Sequence, residues 1–293
     1  MSNFINSPLL VTGASGNLGR LAVEELLARG ATTIIAGTRD PSKLADLTAR
    51  GVEVRQIDFD NPASLASGFA GVERVLIVST DGIGKRVAQQ TAAIAAAKSA
   101  GVKHVVYTSA PAARPDRDAG LGVEHFWTEV ALATSGLDFT ILRNHMYSEN
   151  NLIGVDHTIG SGQLFGLVGD RGTNYVTRAD AARAAAGALL TAEGKSVEDV
   201  TGPAPVTNVE RAAWIAELSG KPVNVIAVQP ADLKAGMVAA GLPEGFAEAL
   251  VAFQRDAVTG HHGVATDVVE RYSGRKPQAL KDFLAANKAL LQA

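Results

Sequence analysis

The chain has 293 residues, 30 Asp+Glu against 27 Lys+Arg, a formal net charge of −3 and no cysteine. Without cysteine there is no disulfide framework, no thiolate nucleophile and no Cys-based zinc or iron–sulfur site, and a reducing cytoplasmic setting is expected. The mild acidity offers no basic face for nucleic acid, and a composition that is 46% hydrophobic and 19% charged describes a globular chain with an ample core.

The first residues, Met1–Ser7, carry no basic run and no long apolar segment, so no signal peptide is expected. No stretch reaches the roughly 18–20 continuous apolar residues of a membrane span. From there apolar runs alternate with helical patterns. Strands are predicted at Leu9–Thr12, Thr33–Thr38, Glu53–Ile57, Arg74–Ser79, His104–Ser109 and Asp138–Leu142. Helices are predicted between them: Arg20–Arg29 stopped by Gly30, Asp40-Pro41 to Arg50, Asn61-Pro62 to Gly71, Arg86–Ala100 stopped by Gly101, and Val123–Ser135 stopped by Gly136. Strands joined by helices must run parallel with right-handed crossovers, which predicts a doubly wound α/β sheet over residues 1–150. Residues 154–172 hold six glycines and little periodicity and read as an irregular connection or substrate loop. Helices follow at Ala179–Leu190, Thr207–Leu218, Pro230–Gly241, Glu244–Ala257, Thr266–Tyr272 and Gln278–Asn287, with one strand at Val223–Val228. Residues 151–293 thus read as a small, mostly helical lobe packed on the sheet, not as an independent domain.

The strongest chemical signal is Thr12-Gly13-Ala14-Ser15-Gly16-Asn17-Leu18-Gly19, placed between the first strand and the first helix. Gly13 permits the turn, Gly16 lets backbone approach a pyrophosphate, and Gly19 lets the helix pack closely; free N–H groups and the helix dipole then face the phosphates. The second strand ends Thr38-Arg39-Asp40-Pro41-Ser42-Lys43. An NAD site has an acid near this point, whereas Arg39, with Lys43 one turn on, suits a 2′-phosphate and so NADP(H). Asp40 reads as a helix N-cap, and Asp58 as either an adenine partner or a turn acid. Ser79-Thr80 and Ser109 end the fourth and fifth strands, where they can contact the cofactor or serve as ordinary turn residues.

The helix after the fifth strand, Gly122-Val123-Glu124-His125-Phe126-Trp127-Thr128-Glu129-Val130, lacks the Tyr-x-x-x-Lys pair of most short-chain dehydrogenases. A carbonyl dehydrogenase using that dyad is disfavoured. His125 and Glu129 share a helix face by their i,i+4 spacing and could donate a proton, make a surface salt bridge or simply pack. The other histidines do not converge, His261-His262 lies in a Gly-flanked loop, and no metal site is expected. After the sixth strand, Asn144-His145-Met146-Tyr147-Ser148-Glu149 clusters amide, imidazole, thioether, phenol and carboxylate groups at a strand end, which suits a nicotinamide and substrate wall. Tyr147 could stack on a flat acceptor, donate a hydrogen bond, or simply pack.

These residues, together with Thr177-Arg178-Ala179-Asp180, resemble the NmrA-like atypical short-chain dehydrogenases, and within them the bacterial type-2 quinone-reductase and triphenylmethane-dye-reductase branches. The resemblance implies a Rossmann domain with NADPH along the sheet edge. By position it would place Gly13, Ala14, Ser15, Gly16, Asn17 and Leu18 on the pyrophosphate, Arg39 on the 2′-phosphate and Ser79-Thr80 along the cofactor. Asn144 to Glu149 would line the nicotinamide end, with Arg178 nearby. The chain departs from the quinone-reductase pattern at Val130, where that branch has Lys, and at His145-Met146, which replace a Gly-Trp pair. The expected function is an NADPH-dependent reductase of a quinone or similar planar acceptor, with Tyr147 and His125 as the catalytic candidates. A redox sensor binding NADP(H) without turnover and a reductase of dyes, imines or enals stay open. The expected partner is a small aromatic or quinone acceptor, with no nucleic acid and no membrane; a homodimer stays open.

Overall fold

The structure, a computed structural model, describes residues 3–116, 122–167, 169 and 171–292. The first six strands are β1 (Leu9–Val11), β2 (Ile34–Thr38), β3 (Glu53–Gln56), β4 (Arg74–Ile77), β5 (His104–Ser109) and β6 (Asp138–Asn144). Between them lie α1 (Asn17–Ala28), a 3₁₀ turn (Pro41–Leu44) running into α2 (Ala45–Thr48), α3 (Pro62–Gly68), α4 (Arg86–Ser99) and α5 (Gly122–Thr134). All six strands pair in parallel, as the alternating pattern required. Their side chains alternate between two layers: Leu9 and Val11 enter one core with α1, and Leu10 enters the other with α3 and α4.

Past β6 come β7 (Met146–Tyr147), a 3₁₀ segment (Ser148–Leu152), α6 (Val155–Ser161), β8 (Gln163–Leu167), β9 (Thr173–Val176) and α7 (Arg178–Thr191). Then follow β10 (Lys195–Val200), β11 (Pro205–Val206), α8 (Asn208–Ser219), β12 (Asn224–Val228), α9 (Pro230–Ala239), α10 (Glu244–Val258), α11 (Val268–Ser273) and α12 (Leu280–Ala286). The sheet order is β10-β6-β5-β4-β1-β2-β3, so β10 is a seventh parallel strand on β6. Sequence reading misses β10 because an edge strand with one open face, Lys195-Ser-Val-Glu-Asp-Val200, shows charge where a central strand shows apolar residues.

Residues 154–167 are likewise more ordered than expected of the glycine-rich stretch. Gly154 and Gly162 take left-handed backbone at the two ends of α6, and β8 pairs in parallel with β12. β7, β9 and β11 form a second small sheet. Both sequence halves therefore build the central layer, because β10 joins the main sheet and α7 packs between α1, α11 and the strands.

Helix α7 is almost wholly buried and alanine-rich, and Gly187 makes room where a Cβ would lie 2.7 Å from the Tyr272 carbonyl carbon. Its carboxyl end is held by the buried Arg74 of β4, which donates to the carbonyls of Leu189 (2.6 Å) and Ala192 (2.6 Å) and lies over the Phe4 ring. A cation at a helix C-terminus meets the negative end of the dipole, and burial lowers the Arg74 pKa to about 10 without discharging it. Arg74→Met leaves these carbonyls without a donor, and we expect it to lower unfolding stability by about 2–3 kcal/mol. A urea midpoint equal to that of the parent would refute this.

Candidate cofactor and acceptor site

The chain order reverses between β1 and β4, and ligands of open α/β sheets bind beyond the carboxyl ends at such a point. The first turn is shaped for this. Gly13 has φ +63, the Gly16 N–H donates to the Gly13 carbonyl (2.9 Å), and the Ala14 N–H donates to the Gly37 carbonyl (2.9 Å). A Cβ on Gly19 would fall 2.7 Å from the Gly13 carbonyl carbon and closer still to its oxygen, so only glycine lets α1 start this near the turn. The α1 N-terminus has Gly16 at its cap position, no side-chain cap and no acid in its first turn. Its leading N–H groups are thus left for an anion. Gly13, Ser15, Gly16 and Asn17 are exposed, whereas the Ala14 and Leu18 side chains are buried and leave only backbone to offer.

At the end of β2 the Ser15 hydroxyl lies 2.9 Å from the Thr38 hydroxyl. Asp40 caps the following turn, accepting from the Ser42 hydroxyl (2.6 Å) and backbone N–H (3.1 Å), and these bonds lower its pKa. Asp40 is therefore committed as a cap. Arg39 is exposed, and its guanidinium has no hydrogen-bond or ion-pair partner among the described residues; Lys43 is exposed one turn on. Asp58 accepts from the Asp60 N–H (3.0 Å), as a turn acid does.

Beyond β4, Thr80 is pinned from both sides. Its N–H donates to Gln90 Oε1 (3.2 Å), and its carbonyl accepts from Arg86 Nε (2.8 Å). The Ser79 N–H donates to the Thr108 hydroxyl (2.9 Å). Behind this loop runs a buried polar network. Gln90 Nε2 donates to the hydroxyls of Tyr107 (3.1 Å) and Thr128 (2.8 Å), and the Tyr107 hydroxyl lies 2.8 Å from His125 Nδ1. His125 Nε2 lies 3.4 Å from Arg86 Nη1. His125 is 6% exposed, and burial, reinforced by Arg86, lowers its pKa to about 3. It is a neutral interior group whose two ring nitrogens face protein partners, not a residue at the cleft surface. The helix face expected for His125 and Glu129 does exist, but it points inward. Glu129 takes Arg143 in a bidentate pair and accepts from the Ser109 hydroxyl (2.6 Å). That commits the Ser109 side chain within the protein.

The 144–149 segment divides its side chains among different neighbours. Asn144 Nδ2 donates to the Tyr147 hydroxyl (3.1 Å), and the Arg178 guanidinium lies 5.0 Å from the Tyr147 ring centroid. Burial raises the Tyr147 pKa, so the phenol keeps its proton. Glu149 accepts from the Arg178 N–H (3.0 Å) at the start of α7, and Arg178 Nη2 donates to Asn150 (3.1 Å). Met146 packs against a separate hydrophobic core that includes Val155, Tyr175 and Ile215. His145 turns the other way: its Nε2 lies 3.0 Å from Asp199 Oδ1 and its ring meets His262 at 6.3 Å between centroids. The expectation that the histidines stay apart fails here, because the loop after α10 folds back onto the ends of β6 and β10. Among the described residues no group of three His, Cys, Asp or Glu side chains has the arrangement of a metal site. No described helix is long and apolar enough to cross a membrane.

The residues fit a dinucleotide. The glycine cradle would be filled by Cβ atoms, and just past β6 Asn144 Oδ1 and Ser148 Oγ are buried without any hydrogen-bond partner. Sequence reading missed the Arg86–Gln90–Tyr107 network. The one signal was Arg86 and Gln90 at i,i+4 spacing on an otherwise alanine-rich helix face.

Fold and site together define a Rossmann-type nucleotide-binding protein. The chain belongs to the NAD(P)H-binding family, whose pattern it matches over residues 13–192. It is 40% identical over 245 residues to quinone oxidoreductase 2 of Escherichia coli, covering 83% of this chain and 85% of that one. The solved structure of the E. coli NADPH-dependent quinone oxidoreductase complexed with NADPH superposes with a TM-score of 0.90 at 34% identity, covering 95% and 99% of the two chains. Triphenylmethane reductase of Citrobacter sp., complexed with NADP(H), gives a TM-score of 0.85 at 32% identity, covering 96% and 99%. An NAD(P)H azoreductase of Xenophilus azovorans is 29% identical over 96% of this chain and 98% of that one. The family resemblance read from the sequence is borne out.

Burial lowers the pKa of His104 to about 4, His125 to about 3 and His262 to about 4. Between these values and about 6.5 the unfolded chain binds protons that the folded chain does not. Stability is therefore whole above about pH 6.5 and falls as pH drops, by up to about 1.4 kcal/mol per pH unit per histidine. Urea unfolding at a series of pH values reads this directly, and a flat profile between pH 6.5 and 5 would contradict it.

Proposed function

We propose that this chain is an NADPH-dependent reductase that delivers a hydride to a planar conjugated acceptor, of which a quinone is the leading case. The observation that carries this reading is the Asn144–Tyr147–Arg178 group beyond the carboxyl end of β6, on the same edge of the sheet as the uncapped N-terminus of α1. When bound, the reduced nicotinamide supplies the hydride. Every other task falls to the chain. The Gly13–Leu18 turn presents backbone N–H groups to the pyrophosphate, and Arg39 with Lys43 supplies charge for a 2′-phosphate. Thr80, fixed at both its N–H and its carbonyl, holds the β4–α4 loop along the cofactor.

Tyr147 is the donor toward the acceptor. Asn144 already donates to its oxygen, so the phenol's own proton is free to point outward, and the Arg178 cation above the ring favours charge gathering at that position. A quinone oxygen becoming an oxyanion needs such a donor and little more, which suits a site without a Tyr-Lys dyad. His125, sealed and neutral, is assigned a positioning role through Arg86 and Tyr107 instead of the proton-donating role its spacing suggested.

NADPH oxidation with a panel of quinones, dyes and enals tests the reading; tight NADPH binding without turnover on any of them would leave a sensor. Arg39→Ala should raise the KM for NADPH by about 10–100-fold and leave that for NADH within about twofold. Equal effects on both cofactors would remove Arg39 from the 2′-phosphate. Tyr147→Phe should lower kcat by about 10–100-fold with little change in the NADPH KM, and an unchanged kcat would exclude it as the donor.

A further inference from the structure

A cavity of about 620 Å³ opens between α6, β8, α8 and the α9–α10 pair, within the roughly 300–1,000 Å³ range of small-molecule sites. Leu233 and Met237 line it, and two further lining residues, Ile153 and Phe165, leave 79% and 43% of their surface exposed. Apolar groups of this size left facing a concave surface mark a place for an apolar ligand. The cavity also holds a cation. Arg211 Nη1 donates to Asn151 Oδ1 (3.1 Å) and to the Tyr175 hydroxyl (3.2 Å), and Nη2 donates to Asn208 Oδ1 (2.8 Å). All three partners are neutral oxygens, and the buried Nε has no partner at all. No Asp or Glu pairs with this guanidinium among the described residues; Asp232 also lines the cavity but is exposed. A half-buried guanidinium held only by neutral acceptors retains capacity for an anion.

We infer that this cavity is a binding site for an amphipathic organic anion, an alkyl or aryl group ending in a carboxylate or sulfonate, with Arg211 receiving the charged end. The site is separate from the cofactor cleft but adjoins it. Asn150 lines the cavity and also accepts from Arg178, whose guanidinium lies over Tyr147. One short segment, Tyr147–Asn151, thus has the acceptor wall on one side and the cavity on the other. The occupant is either the charged tail of an acceptor or a separate small molecule of the same chemistry.

The test uses the full chain with saturating NADPH, so that the cofactor cleft is filled. Anilinonaphthalene sulfonate is titrated by fluorescence and displaced with decanoate or with decanol, which matches it in length but lacks the charge. One saturable site is expected, with decanoate displacing the dye at least about tenfold better than decanol. Arg211→Gln should abolish that preference. Gly236 lines the cavity on α9, and a Cβ there meets no atom within 4 Å. Gly236→Phe should therefore fill the space, keep the melting temperature and weaken both ligands at least about tenfold. Equal displacement by decanoate and decanol, or dye binding untouched by Gly236→Phe, would overturn the inference. Binding is read without turnover, so its outcome is independent of the reductase reading. Two kinetic patterns identify the source once binding is shown. Decanoate competing only with quinones that carry a carboxyalkyl chain marks an acceptor tail, and decanoate changing kcat with unsubstituted benzoquinone marks a separate ligand.

Discussion

The approach of α1 to the first turn is the constraint from which the rest of the site follows. At Gly19 a single added carbon would collide with the Gly13 carbonyl, so the helix begins directly over the end of β1. That closeness leaves its first N–H groups uncapped and aimed past the sheet edge. It also sets the plane on which α7 packs, and α7 in turn carries Arg178 at its N-terminus and accepts Arg74 at its C-terminus. A 2.7 Å contact at one residue would thus disturb both the uncapped α1 N-terminus and the placement of Tyr147.

The second organising feature is a set of buried polar groups that are almost entirely neutral. Gln90, Tyr107, Thr128 and His125 tie β5, α4 and α5 together beneath the loop that carries Thr80, with Arg86 closing the ring against Glu124 at 3.5 Å. In a low-dielectric interior such a network rigidifies when each member is satisfied and is costly when one is lost. The depressed pKa of His125 follows from the same burial. This is a means of holding the Thr80 loop still without a histidine that changes charge near neutral pH beneath it.

Parts of the site were legible because their chemistry is local. The glycine spacing, the Arg39 position and the Asp40 cap each depend on a few consecutive residues, and the structure shows the turn, the exposed guanidinium and the capped 3₁₀ turn at those positions. The 144–149 run was legible as a cluster but not as an arrangement. Within six residues it serves an Asn144–Tyr147 hydrogen bond, a helix cap, a separate hydrophobic core and a pair with Asp199, and no periodicity predicts which side chain goes where. His125 shows the same limit. Spacing put it on one face of α5, but only packing decides whether that face meets solvent or β5.

Composition, period-two and period-3.6 patterns and glycine placement by themselves determined a parallel doubly wound sheet with a tight glycine first turn, because these depend on backbone sterics and on burial along single elements. The tertiary structure alone decided that β10 completes the sheet, that His145 and His262 meet, that part of the glycine-rich stretch forms β8 and pairs with β12, and that Arg211 stands beside an apolar cavity. Each of these joins residues from distant parts of the chain. Their free energy comes from surfaces that exist only once the elements have docked, and a linear pattern carries no record of those surfaces.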